Sequence, residues 1–267
     1  MNAVTVSTVI ADLVAEQEAL DAVVAPLAAA DWELATPSPR WAVRDQIGHL
    51  AFFDDTAALA ISDPDGFVEH RSEFAASALS NPEAGDDLTL GATRAMTAKE
   101  LLAFWRDCRN RLATAAATCG EKDRIEWYGP SMGAKSFLTA RLMEAWAHGQ
   151  DICDTVGAER EPTDRLRHIA QLGFITRGWT YINRKLEIPD GDVRVELRSP
   201  SGETWTFGPE DADATVRGSA EDFCLVTAQR RNLADTGLEI DGAIARDWLE
   251  KAQLFAGPPS EPPAPRA

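Results

Sequence analysis

The chain has 267 residues, of which 45% are apolar and 26% charged, and its net charge is −17. That composition excludes a disordered or fibrous polypeptide, and at roughly 150 residues per domain the length allows one large domain or two modest ones, with a core that needs neither disulfide nor metal to fold. So acidic a surface repels phosphate groups, which excludes nucleic acid and anionic membranes as partners.

Residues 5–30 carry Val9, Leu13, Leu20, Val23 and Leu27 at helical spacing. Pro37 and Pro39 break that pattern. Further helices are predicted over 43–61 and 67–79, separated by the turn at 63–66 and followed by a polar loop at 81–91. Thr97 and Glu100 form a capping box that opens a helix running to 119. A loop at 120–133 holds Trp127 and Tyr128, and helices follow over 135–156, ending at Gly157, and over 163–186. The pattern then changes. Period-two alternation at 193–197 and 204–207 around a Ser-Pro-Ser-Gly turn predicts a β-hairpin. Two more strands are expected at 214–218 and 238–241, and helices at 219–232 and 243–255. The fold class is therefore α+β. A helical domain spans 1–188, a small α+β domain spans 189–256, and the proline-rich tail 257–267 is expected to be disordered.

The first twenty residues lack a basic segment and an uninterrupted apolar stretch, so no secretory signal is expected. No segment reaches the ~20 apolar residues of a membrane span. Cys108, Cys119, Cys153 and Cys224 show no CxxC spacing and are read as reduced thiols of a cytoplasmic protein.

Four histidines are present: His49, His70, His148 and His168. Glu144 and His148 are four residues apart on a predicted helix, about 40° apart around its axis, so they share a face. His49 lies mid-helix on an apolar face, where an unpaired imidazole is costly. Two histidines and a carboxylate with a fourth position open make a catalytic-type zinc shell. On spacing alone a second reading stands beside it: His49 as a core histidine bonded to a neighbour, and Glu144 with His148 as a surface contact. His70 with Glu73 reads as a surface contact, His168 as solvent-facing, and Trp105, Trp146 and Trp179 as core. Trp127 and Tyr128 read as a loop packed on the helices.

The stretch Trp41-Ala-Val-Arg-Asp45-Gln-Ile-Gly-His49-Leu resembles the W-x-V-x-D-x-x-x-H-L signature of the DinB-like four-helix bundles. Arg141-Leu-Met-Glu144-Ala-Trp-Ala-His148-Gly-Gln-Asp151-Ile is similar to the second signature of their actinobacterial branch, the mycothiol-dependent maleylpyruvate isomerases. The resemblance covers about residues 5–256 and implies a helical metal domain followed by a small, sterol-carrier-like α+β domain. It implies His49, Glu144 and His148 as ligands of a divalent metal, zinc first and nickel as the alternative. Candidates to orient the ligands are Asp45, Gln46 and Asp151, although a helix-start carboxylate and a solvated side chain explain Asp45 and Asp151 equally well. Arg230 and Arg231 are the nearest counterparts of an arginine that contributes to activity in the isomerase; a solvated helix end explains them as well.

The implied function is a thiol-using isomerase or S-transferase acting on a small molecule with mycothiol or another low-molecular-weight thiol, as a monomer or homodimer. A metal-dependent hydrolase on the same shell and a non-catalytic, metal-stabilised binding protein are the alternatives.

Overall fold

The hydroxyl of Thr5 accepts the Thr8 amide at 3.2 Å and so satisfies one orphan donor of the first helical turn. Helix α1 (Val6–Val24) follows and buries Val9, Leu13, Leu20 and Val24. The computed structural model describes residues 4–81 and 85–266. The chain divides into two units between Glu159 and Arg160.

In the first unit α1 is followed by α2 (Val43–Ser62), α3 (Pro64–Ser80), α4 (Asp87–Arg94) and α5 (Ala98–Ala116). A short antiparallel pair, β1 (Arg124–Ile125) and β2 (Met132–Gly133), leads into α6 (Ala134–Val156). The bundle proper is α1, α2, α5 and α6, with α2 packed on α5 and on α6, and α1 on α6. Its core holds Leu20, Ile47, Leu50, Leu101, Trp105 and Ile152, all at 1% exposure or less. The box at the start of α5 forms in both directions: Thr97 N donates to Glu100 Oε2 at 2.8 Å and Glu100 N to Thr97 Oγ1 at 3.3 Å. Helix α6 closes on Gly157, whose φ of 67° is the left-handed stop that glycine adopts freely.

The expected loop at 81–91 is partly wrong. Residues 82–84 lie outside the described residues, but 87 onward is helical, because Leu90 and Thr93 bury against α2. That approach depends on Gly48: a Cβ there would stand 2.5 Å from Thr93 Oγ1.

In the second unit, α7 (Leu166–Ile175) and α8 (Arg177–Asn183) precede β3 (Val193–Arg198), β4 (Thr204–Phe207) and β5 (Ala214–Ser219). Helix α9 (Ala220–Thr227), β6 (Glu239–Asp241) and α10 (Ala243–Leu249) complete it. The sheet order is β4-β3-β5-β6, with β3 and β5 parallel and the other pairs antiparallel. Val195, Leu197, Trp205, Phe207 and Val216 are buried, and α9 packs on β3 and β5.

The boundary expected at 188 falls instead after Glu159, because α7 packs on α9 and β4. Gly173 allows the close approach: a Cβ there would lie 2.8 Å from Thr227 Oγ1. The single helix expected over 163–186 breaks at Thr176, and α9 and α10 stop short of 232 and 255. The tail expected to be disordered has no helix or strand, yet 257–266 is tied down. Gly257 O accepts from Asn183 Nδ2, Pro263 O from Asn232 Nδ2, and Asp235 accepts the Arg266 amide. Composition predicts freedom here; hydrogen bonds to the tail's backbone carbonyls and an amide remove it. His168, expected in solvent, is buried, and Trp179, expected in the core, is exposed with its Nε1 bonded to Phe255 O.

Candidate metal centre

Helices α2 and α6 carry the site. An imidazole at 49 and a Glu–His pair one turn apart face each other because the two helices pack side by side. His49 Nε2 lies 3.2 Å and His148 Nε2 2.9 Å from the same oxygen, Glu144 Oε2. The three ligand atoms lie within 4.8 Å of one another. Trp41 packs against both rings, with centroids 5.0 Å from His49 and 5.8 Å from His148, and Phe53 lies 4.6 Å from His49.

Burial, followed by repulsion from His148, holds the His49 imidazole down to about 4, so it is neutral at physiological pH. Burial alone would raise Glu144, but hydrogen bonds to His148 and His49 and the Arg141 charge outweigh it and hold the carboxyl well below its ordinary value. A neutral imidazole and an ionised carboxylate are the protonation states that metal ligation requires.

Gln46 sets the tautomer of His148. It is fully buried, and its Oε1 lies 2.5 Å from His148 Nδ1. Its Nε2 donates to Thr36 Oγ1 at 2.8 Å, and that hydroxyl donates to Trp41 O at 2.9 Å. Because the Thr36 proton is committed to Trp41, the Gln46 amide must donate to Thr36 and accept from His148. The Nδ1 of His148 therefore carries a proton and donates it to Gln46, which fixes the ring so that Nε2 is the atom turned to Glu144.

The other orienting candidates act elsewhere. Asp45 accepts the Ala42 amide at 2.9 Å and Arg94 Nε at 2.8 Å, which fixes the start of α2 and docks α4. Asp151, buried rather than solvated, accepts from Ser38 Oγ at 3.1 Å and so anchors the segment that carries Trp41. Arg230 and Arg231 lie in the second unit, just after α9, where their Nη1 atoms donate to Ala228 O and Arg230 O. His70 does not pair with Glu73 at the surface; its Nε2 lies 2.8 Å from the Tyr128 hydroxyl. Trp127 stacks on Phe67 at 5.4 Å with planes 5° apart, as a loop packed on the helices would.

The family model of the mycothiol maleylpyruvate isomerase N-terminal domain matches residues 13–153, which include all three convergent side chains. This chain is a member of the mycothiol maleylpyruvate isomerase N-terminal domain family. Two proteins from strains of Mycobacterium tuberculosis, described as uncharacterized, are 45% identical to it over 250 residues, 94% of this chain and 96% of theirs. Crystal structures of the mycothiol-dependent maleylpyruvate isomerase and of a histidine-to-alanine mutant share its fold, with TM-scores of 0.56 and 0.57 at 16% and 14% identity. Each comparison covers 89% of this chain and 93% of the other.

In this member of the mycothiol maleylpyruvate isomerase family, two features escaped sequence reasoning. Arg141, three residues before Glu144, is a buried cation beside the site; its signal was a lone arginine on an otherwise apolar helix face. Trp41, part of the first motif, covers both imidazoles, a role no spacing rule reveals. A groove of about 1040 Å³ between α2, α3, α4 and α5 contains none of His49, Glu144 and His148.

Proposed function

We propose that this protein holds a divalent metal, zinc by its donor set, on His49, Glu144 and His148. We further propose that it uses the metal to act on a small molecule with a low-molecular-weight thiol such as mycothiol, as an isomerase or S-transferase. One observation carries the reading: two imidazole Nε2 atoms and a carboxylate converge on one point, with His49 neutral and the His148 tautomer set by Gln46. Two nitrogens and one oxygen are the donors of catalytic zinc sites, and nickel is the alternative for the same set. When bound, such an ion supplies a Lewis acid that keeps a thiol ionised at neutral pH, where a free thiol with pKa ~8.5 is largely protonated. The protein's part is to present Nε2 lone pairs, to keep Glu144 ionised, and to shield the ligands behind Trp41 and Phe53. The thiol is suggested by the family and by the solved isomerase with the same fold.

Metal analysis of the untreated protein tests the first step. Wild type should carry close to stoichiometric metal, and His49→Ala and His148→Ala should each lose it; a metal-free wild type overturns the reading. Adding mycothiol to cobalt-substituted protein should shift its visible spectrum. A spectrum indifferent to every cellular thiol would leave the metal and remove the thiol chemistry.

A further inference from the structure

The outer side of α7 and α8 leaves apolar surface in water. Among the described residues eight large apolar side chains are exposed, and five of them fall within 175–188. Ile175 ends α7, Trp179 and Ile182 stand on α8, and Leu186 and Ile188 follow it. Hydrogen bonds from Thr176 N to Leu172 O and from Thr180 N to Thr176 O brace the break at Thr176 and hold Ile175 one turn from Trp179. Helix α8 ends in a turn that folds the chain back. Leu186 N donates to Tyr181 O and Lys185 N to Ile182 O, both at 3.0 Å, with Lys185 at a φ of 57° in the left-handed position that glycine usually takes. Ile188 then returns to α8, its Cδ1 3.6 Å from where a Cβ of Gly178 would stand. The inner side of α8 is closed: Thr180 and Tyr181 are buried, and the Tyr181 hydroxyl donates to Asp247. The Trp179 Nε1 is already bonded to Phe255 O, so what its indole still offers is apolar.

Area and charge name the occupant. With Ile175 at 58% and Ile182 at 60% exposure, the five side chains present on the order of 500 Å², in the upper range for the largest patch on a monomer. A two-fold axis that pairs the patch with itself buries about twice that, ~1,000 Å², where specific interfaces begin. The exposed charges at 175–188 are one of each sign, Lys185 and Glu187. Arg177 and Arg184 are turned onto the carbonyls of Gly191, Pro189 and Ser260. The patch is thus a neutral apolar island on a chain of net charge −17. An anionic surface is repelled by that charge, and a basic partner gains more from the acidic surface elsewhere. A second copy meets apolar surface without local repulsion, and a two-fold axis can set Lys185 against the partner's Glu187.

We propose that this face is the contact between two copies of the chain, associated about a two-fold axis through Ile175, Trp179, Ile182, Leu186 and Ile188. Such pairing neither needs nor supplies the metal site proposed above.

Sedimentation velocity of the full chain from about 1 to 200 µM tests it. Wild type should pass reversibly from monomer to dimer across the series. Ile182→Glu and Ile175→Glu should each raise the dissociation constant about tenfold or more, since each puts a charge into the contact. Both positions are exposed, so the monomers should keep their circular dichroism and denaturation midpoints. Leu79→Glu, 82% exposed but on α3, should leave the dimer unchanged. A wild type that stays monomeric throughout overturns the proposal, as does growth beyond the dimer or a dimer that both variants retain. A monomeric wild type that sediments with phosphatidylcholine vesicles, and loses them on Ile182→Glu, gives the face to a lipid surface instead and overturns it too. Should both variants fail to fold, carbodiimide cross-linking of mixed light and heavy nitrogen-labelled wild type decides. Peptides joining Lys185 to the partner's Glu187 support the contact, and their absence overturns it.

Discussion

Gln46 lies fully buried between His148 and Thr36, and the direction of its amide is decided by a hydroxyl whose proton is already committed to Trp41. Gln46→Leu keeps the bulk and removes the acceptor for His148 Nδ1. Zinc affinity, read by chelator competition, should fall about 10- to 100-fold, the usual effect of losing a group that orients a ligand. Gln46→Glu, which still accepts, should lose less. Asp54 makes a second prediction. It is buried; Gln17 Nε2 donates to it at 2.9 Å and Trp105 Nε1 at 3.3 Å. Burial pushes its carboxyl up to about 7, against the pull of Arg141 and those two hydrogen bonds. The folded chain therefore keeps a proton that the unfolded chain releases near the ordinary value of 3.8. Its contribution is whole below 3.8, declines as pH rises, and is gone once pH passes about 7. Asp54→Asn cannot titrate. Denaturation midpoints of wild type minus Asp54→Asn should fall across that window, and a flat difference would contradict the assignment.

Among the elements, α2 has the most to accommodate: it carries His49 and Gln46, faces α5 and α6, and receives α4 at Gly48. Gly48→Ala puts a methyl 2.5 Å from Thr93 Oγ1 and 3.2 Å from Thr93 Cβ. It should cost about 1–3 kcal/mol in chemical denaturation, as overpacking does. Gly91→Ala on α4 is the control, since its Cβ would meet only Asp87 Cβ at 3.9 Å. It should be neutral or stabilise by up to about 1 kcal/mol. The long helices were legible because their stripes and caps are local: Leu13 and Leu20 repeat on one face, Thr97 and Glu100 close a box, and Gly157 ends α6. Helix α4 was not, because only Leu90 and Thr93 are buried on it and their burial depends on α2. The break at Thr176 was hidden for a similar reason: periodicity continues across it while the backbone does not.

For the whole molecule, charge and hydropathy set expectations about partners and membrane spans. Among the described residues no helix is long and apolar enough to cross a membrane. The α+β class, the helical bundle and the later hairpin could all be read from residue order, because binary pattern and turn chemistry act over a few residues. So could the three residues that converge, since His49 and the Glu144–His148 pair stand in two recognisable motifs. Which neighbours those three side chains have could not be read. Gln46 rather than Asp45 meets His148, Asp151 holds the Trp41 segment, and Arg141 lies buried against the Phe53 and Trp127 rings with Nη1 unpaired. The unit boundary at 159 and the pinned tail were equally out of reach. These contacts join residues distant in sequence, and only helix packing and strand pairing decide which of many compatible side chains come within hydrogen-bond range.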